Sequence, residues 1–510
     1  MKRSALVSMF AVSAAAAALL AGIGAGELGA HPAMAQAPGG ADACHGLEAS
    51  RLFKDVAIRA RMVTADPAKA MPAFCEVTGT ISPEPRSKIG VVYRLPADWN
   101  GKLLGLGGGG WAGNVGLLSA QEGLRSGYAT MQTDGGHDSS DVWNTSWASN
   151  AAARTDFAWR AMHLMTATGK DVAARFYGRR QRKTYYQGCS TGGRQGLMEL
   201  QRFPADYDAA SIGAPVYNLL VQTSAIVRDQ TFSAPGAGFT EAQLATVNKA
   251  VLGACDARDG LTDGLIADPR KCAWDPKAIQ CAPGRSGDQC LSSTQVDALR
   301  SAYTGVVLKN GQRVSWPLAK GGEVGWSRFL QTSNSASDAT KGGGLGGDLG
   351  KIITGDPNFS VETFTPSRDL AKVRGSDFAR EYEAEPKLSP FLKRGGKVLM
   401  WHGWSDAGPS PVGTIAFFEK LRAANPNSGQ SARLFLLPGV YHCGSGPGPD
   451  KMDLLGAIDS WSTTGKAPAT MVAMKASPRL ERPICPYPTV AIYKGHGDEN
   501  APSSYACKAG

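Results

Sequence analysis

Five residues, Gly188-Cys189-Ser190-Thr191-Gly192, restrict this chain more than any other feature of it. They follow a strand-like run, Lys183-Thr184-Tyr185-Tyr186-Gln187, and lead into residues 193–203, which the apolar spacing predicts to be a helix. A serine at a sharp strand-to-helix turn is held in a strained backbone that pushes its hydroxyl clear of the sheet edge. Small residues on both sides let the chain turn without clashing. The Thr191 N–H then lies at a helix start, aimed where an oxyanion would form. An ordinary glycine-rich turn also satisfies G-x-S-x-G, so the weight of the pattern rests on the strand and helix around it.

The surrounding sequence supplies the rest of a sheet. Residues 91–95, 102–106 and 128–133 read as strands, the second running into Gly107-Gly108-Gly109-Gly110. Residues 156–177 carry apolar side chains at helical spacing. After a long interval, residues 397–401 and 433–437 are short apolar runs that end in polar or Gly/Pro residues, as buried parallel strands do. Strands alternating with helices predict an α/β architecture, a mostly parallel sheet covered on both faces. Residues 215–384 differ: strand signals are few, and the stretch holds four cysteines, an Asp-rich loop and the glycine-rich run 342–350. The expected organisation is a core in two parts, 36–214 and 385–510, with an inserted lid domain over 215–384.

The first 35 residues are set apart from the fold. Lys2 and Arg3 precede an almost wholly apolar run, residues 5–26, and Ala33-Met34-Ala35 has the small-x-small pattern of a cleavage site, so residues 1–35 read as a signal peptide. A retained membrane anchor is the competing reading; no basic stop-transfer cluster follows to favour it. No later run is long and apolar enough to span a bilayer. The expectation is a secreted or periplasmic protein with no membrane contact after cleavage. All ten cysteines lie beyond residue 35, an even count that favours disulfides in an exported chain, and paired C-x-x-C motifs for zinc are lacking. The formal net charge of +10 is dispersed, with one dense cluster at Arg179-Arg180 and Arg182-Lys183, and no nucleic-acid motif accompanies it.

A serine hydroxyl needs an adjacent base, and the base an orienting acid. In α/β-hydrolases the chain order is serine, acid, histidine. His442 follows the strand ending at Leu437, and Asp406 follows the strand before it, so Ser190, Asp406 and His442 are the expected triad. His402 comes too early and reads as a packed loop residue, His496 as solvated, and His137 as structural or as a support behind the site. Cys189 adjoins Ser190 and Cys443 adjoins His442; if serine and histidine meet, these two sulfurs are placed to bond. The second oxyanion donor is expected from the bare backbone of the glycine loop, Gly110 first and Gly109 next, beside Thr191. No Lys-Ser/Thr follows that loop, which argues against a phosphate loop.

These residues resemble the tannase and feruloyl esterase family, through Gly188-Cys189-Ser190-Thr191-Gly192-Gly193, the Asp406 loop and Tyr441-His442-Cys443, over nearly the whole mature chain. The resemblance implies an α/β-hydrolase fold with a large inserted lid, and disulfides Cys189–Cys443, Cys44–Cys75, Cys255–Cys272, Cys281–Cys290 and Cys485–Cys507. It implies a structural calcium ion in the lid, held by the side chains of Asp256, Asp259 and Asp263 and the carbonyls of Leu261 and Leu265. Spacing alone would make this loop a polar turn, and it lacks the closing Glu of an EF-hand. The activity implied is serine ester hydrolysis through an acyl-enzyme, on small esters of hydroxycinnamic or gallic acids or on plant polymers decorated with them. Trp326 and Phe329 are candidates to stack on the aromatic acid, with core packing the competing reading for both.

A terephthalate half-ester hydrolase of the same family is an alternative. That enzyme holds a free carboxylate with a lid arginine, whereas residues 334–350 here contain Lys341 and no arginine, and Thr191 stands where it has an acidic residue. An amidase or peptidase is a further alternative, since the triad does not choose between ester and amide. A calcium-stabilised binding module on a disabled scaffold is another, although no triad member is missing. Oligomeric state leaves no mark in the sequence.

Overall fold

The computed structural model describes residues 40–48, 56–330 and 344–510; the expected signal peptide and Lys341 lie outside them. A nine-stranded sheet forms the centre, built from β1 (Val56–Val63), β2 (Phe74–Ile81), β3 (Ile89–Pro96), β4 (Lys102–Leu106), β5 (Ala129–Thr133), β6 (Lys183–Cys189), β7 (Ala209–Gly213), β8 (Lys397–Gly403) and β9 (Ala432–Leu437). Its order is β1-β2-β3-β5-β4-β6-β7-β8-β9. All pairings from β5 through β9 are parallel, while β1, β2 and β3 join antiparallel. This is an α/β fold.

Burial explains the division. Val398, Leu399 and Met400 of β8 are wholly inaccessible, as the interior of a doubly covered parallel sheet requires. In β1, by contrast, Arg59 and Arg61 are exposed while Ala60 is buried, the alternation of a strand with one wet face. The Cys44–Cys75 disulfide ties the short N-terminal helix Ala41–Glu48 to β2.

Between β7 and β8 the described residues hold helices and no strand of the sheet. Leu219–Ser233, Glu241–Cys255 and Ser293–Thr304 are the longest of these helices. Two start at capping boxes, Thr240 with Gln243 and Ser292 with Gln295, which satisfy the first free amides reciprocally. This insertion has a core of its own, with Phe232, Val247, Leu299 and Trp326 at its centre, and two disulfides, Cys255–Cys272 and Cys281–Cys290. Two hairpins close the chain: Met471–Lys475 with Leu480–Ile484, and Thr489–Tyr493 with Tyr505–Ala509. The bond Cys485–Cys507 joins them.

Candidate active site

Ser190 stands in the turn between β6 and the helix Thr191–Arg202, with φ 63° and ψ −124°. A non-glycine residue there costs on the order of 1–3 kcal/mol and persists only when its surroundings fix it. The Ser190 N–H donates to Gly213 O at 3.0 Å, and its carbonyl accepts from Arg194 at 3.1 Å and Val216 at 3.2 Å. The flanking glycines are steric necessities. A Cβ on Gly188 would lie 2.6 Å from the Gly192 carbonyl carbon, and one on Gly193 would lie 2.4 Å from Gly213 O.

The glycine loop after β4 lies against this turn. Gly107 N–H donates to Gln187 O at 3.0 Å and Gly108 N–H to Gln195 Oε1 at 2.9 Å, so those two amides are spent. Gly110, at φ 57°, accepts the Thr191 hydroxyl on its carbonyl at 2.5 Å. Among the described residues, the amides of Gly109, Gly110 and Thr191 donate to nothing in the chain. All three residues line one cavity of about 460 Å3, together with Ser190 and His442.

Asp406 follows β8, and His442 follows β9. Neighbouring parallel strands thus bring acid and base side by side. His442 Nδ1–H donates to Asp406 Oδ2 at 2.6 Å, and because a carboxylate only accepts, the neutral ring carries its proton on Nδ1 and its lone pair on Nε2. The Cys189–Cys443 disulfide, with Cα atoms 5.9 Å apart, staples the serine turn to the histidine loop across 254 residues of chain. Replacing both cysteines with alanine should lower unfolding free energy by about 2–4 kcal/mol and cut kcat as the two loops loosen. Chemical denaturation and kinetics on the purified variant measure both; an unchanged kcat would mean the bridge only stabilises.

His402, expected to be a packed loop residue, is buried as expected but lies in β8 rather than in a loop, and it is also bonded to the acid. Its Nε2–H donates to Asp406 Oδ2 at 3.0 Å and to Pro409 O at 3.1 Å, while Nδ1 accepts from the Thr414 hydroxyl at 2.8 Å. Gly408 N–H donates to the other carboxylate oxygen at 2.8 Å. Burial acts to raise the Asp406 carboxyl, but His442 and His402 outweigh it and hold it at about 2. His137 packs on Trp147, ring centroids 4.3 Å apart, and bonds Trp111 O at 2.7 Å, while His496 is exposed.

The two aromatic candidates separate. Phe329 lines the cavity and meets the His442 ring edge-on at 4.9 Å. Trp326 does not reach it: 1% exposed, it packs against Phe232 and Tyr303 inside the insertion. The expectation of a stacking role for Trp326 is therefore corrected: the core of the insertion encloses its ring, while Phe329, at the edge of that same core, still reaches the cavity.

The Asp-rich loop lies away from this cavity. Asp256 is buried, with one carboxylate oxygen accepting from Gly264 N–H at 2.8 Å and the other without a partner. Burial, with Asp263 and Asp256 nearby, pushes Asp259 up to about 7. Leu261 and Leu265 turn their amides onto Asp259 and Asp263, leaving their carbonyls for other partners. Arg482 pairs with Asp263 at 2.7 Å, and the three carboxylates do not all close to within 4.8 Å of one another. An orphaned buried oxygen amid crowded carboxylates fits a hard cation that takes oxygen ligands.

A strained serine on a strand-to-helix turn, a histidine held by a buried carboxylate and unpartnered amides around one cavity define a serine hydrolase on an α/β-hydrolase scaffold. Residues 75–508 match the family described as tannase and feruloyl esterase. The chain is 33% identical to a mono(2-hydroxyethyl) terephthalate hydrolase of Piscinibacter sakaiensis, over 87% of this chain and 86% of that one. It is 29% identical to feruloyl esterase B of Aspergillus niger, over 85% and 86%. The crystal structure of feruloyl esterase B from Aspergillus oryzae superposes with TM-score 0.81 at 26% identity, covering 92% of this chain and all of that one. The chain belongs to the tannase and feruloyl esterase family, and so to the carboxylic ester hydrolases.

Proposed function

We propose that this esterase cleaves esters of hydroxycinnamic or gallic acids through an acyl-enzyme on Ser190. His442 Nε2 takes the Ser190 proton as the hydroxyl oxygen attacks the ester carbonyl. Asp406 holds the imidazole tautomer and stabilises the imidazolium. The unpartnered amides of Gly110 and Thr191 donate to the tetrahedral oxyanion, with Gly109 beside them. His442 returns its proton to the leaving alkoxide, and water, activated by the same base, releases the acid. The single observation that supports this most is the His442–Asp406 bond, which leaves the free ring nitrogen and Ser190 facing one cavity.

The substrate class comes from relatives named feruloyl esterase and from the aromatic and aliphatic wall of the cavity, Trp143, Val216, Val221 and Phe329. A second reading, a terephthalate half-ester, is favoured by the relative of that name. A panel of methyl ferulate, methyl gallate, a terephthalate half-ester and a matched anilide tests both. Turnover of the first two at higher kcat/KM than the third supports the proposal; turnover of none of the aromatic esters removes it.

We also propose that the protein is exported, which five disulfides favour; no described helix is long and apolar enough to cross a membrane. In the insertion, Asp256, Asp259 and Asp263, with the carbonyls of Leu261 and Leu265, would hold calcium, whose charge would offset the crowded carboxylates and fix the loop. Chelation should then lower the melting temperature by several degrees, and added calcium restore it. In Asp256→Asn the response should shrink or vanish. A melting temperature indifferent to chelator in the wild type would refute the site.

A further inference from the structure

Nine large apolar side chains are exposed among the described residues, and five of them fall on two neighbouring segments: Val115, Leu117, Leu118, Val142 and Trp143. Leu118 is 81% exposed. The two segments are bonded to each other beside the active site. Trp111 N–H donates to Val142 O at 2.6 Å, and Gly113 N–H to Ser139 Oγ at 3.1 Å. Asn114, Val142 and Trp143 line the cavity that holds Ser190, and Val115 to Leu118 continue directly from Asn114. Val142 and Trp143 are thus both exposed and part of the cavity wall, and Val115, Leu117 and Leu118 follow a third wall residue, Asn114, by one to four positions along the chain. The remaining four exposed side chains, Val307, Val324, Val472 and Met474, belong to other segments. Single exposed hydrophobes are ordinary, but a group of them on the segments that form a binding cavity's wall points to a surface that meets a ligand.

We infer that the outer part of this rim, Val115, Leu117 and Leu118, receives the alcohol portion of the ester, and that the alcohol is apolar rather than a sugar. The inference rests on the acyl-transfer reading above, because that reading fixes the acid portion in the cavity on Ser190 and leaves the rest of the substrate to emerge at the mouth. A saccharide would present hydroxyls to Val115, Leu117 and Leu118, which offer no side-chain partner for them. An alkyl or aryl alcohol would instead remove water from both surfaces, and such contact strengthens with each methylene that the rim covers.

The experiment compares methyl, butyl and arabinosyl esters of one hydroxycinnamic acid, each below its solubility limit, on the wild type, Leu118→Glu and the control Met474→Glu. Because Leu118 is so exposed, its replacement should leave folding intact, which a melting curve checks. In the wild type and in the Met474 variant, the butyl ester should exceed the methyl ester in kcat/KM by about 10-fold, with the arabinosyl ester no better than the methyl. In Leu118→Glu the butyl-to-methyl ratio should fall to about 2 or below. Equal butyl and methyl turnover in the wild type, a clear preference for the arabinosyl ester, or an unchanged ratio in Leu118→Glu would each overturn the inference while leaving the triad reading standing. Absence of turnover of all three esters would remove both.

Discussion

Ser190→Ala should lower kcat for a methyl hydroxycinnamate by roughly 10^5- to 10^6-fold while leaving the melting temperature within about 2 °C of the wild type. The loss is large because the hydroxyl is the atom that becomes acylated. Without it, His442 and the oxyanion donors are left with only water to activate, and the amides and binding cavity alone sustain a small residual rate. Stability should hold because Ser190 is tied to the fold through its backbone, to Gly213, Arg194 and Val216, and alanine keeps all three bonds. The strain of the turn is not relieved either, since alanine at φ 63° is as uncomfortable as serine. Two measurements suffice: steady-state kinetics, and labelling with a fluorophosphonate that the wild type takes up and the variant does not. Residual kcat above about one-thousandth of wild type, or persistent labelling, would place the nucleophile elsewhere.

The residues that carry this prediction were legible in the sequence because each sits in a local pattern. The serine turn is fixed by steric demands on its glycines, and Asp406 and His442 by the loops after two apolar strands. What the sequence did not reveal depends on contacts between distant segments. The strands β1 and β2 went unread, and their antiparallel attachment is a fact of pairing. The strand Ala209–Gly213 holds four small residues and a single isoleucine, too little for a strand signature, although burial on both faces makes it one. Which of Trp326 and Phe329 reaches the cavity depends on how the insertion packs, since its core encloses one and leaves the other at its edge. Which amides of the glycine loop remain free depends on the backbone carbonyl of Gln187 in β6 and the side chain of Gln195 in the helix after it. His402 was misjudged in part: its early position rules it out as the base, yet says nothing about a bond to the carboxylate four residues on.

That bond shapes what Asp406→Asn should do. Asp406 Oδ2 accepts from two imidazole N–H groups, at 2.6 Å from His442 and 3.0 Å from His402, while Oδ1 accepts from Gly408 N–H. An asparagine amide has one oxygen and one NH2, so it must aim a donor at donors on one side or the other. If NH2 faces the histidines, His442 keeps an accepting Nδ1 and carries its proton on Nε2, the wrong tautomer to receive one from Ser190. The expected loss in kcat is about 10^4-fold. His402→Leu removes a support rather than the acid, so it should cost far less, on the order of 10-fold, and should move the pH profile of kcat as the carboxylate loses a donor. A purely structural role for His402 would shift the melting temperature and leave that profile in place. Stability supplies a separate readout. The folded carboxyl is held at about 2, below its ordinary 3.8, so its contribution is whole above pH 4 and is lost as pH falls toward 2. That contribution is about 2 kcal/mol. The stability gap between wild type and Asp406→Asn, measured by urea unfolding, should therefore narrow by about that amount between pH 5 and pH 2. A gap that stays constant would mean that the two histidines do not hold the carboxylate charged.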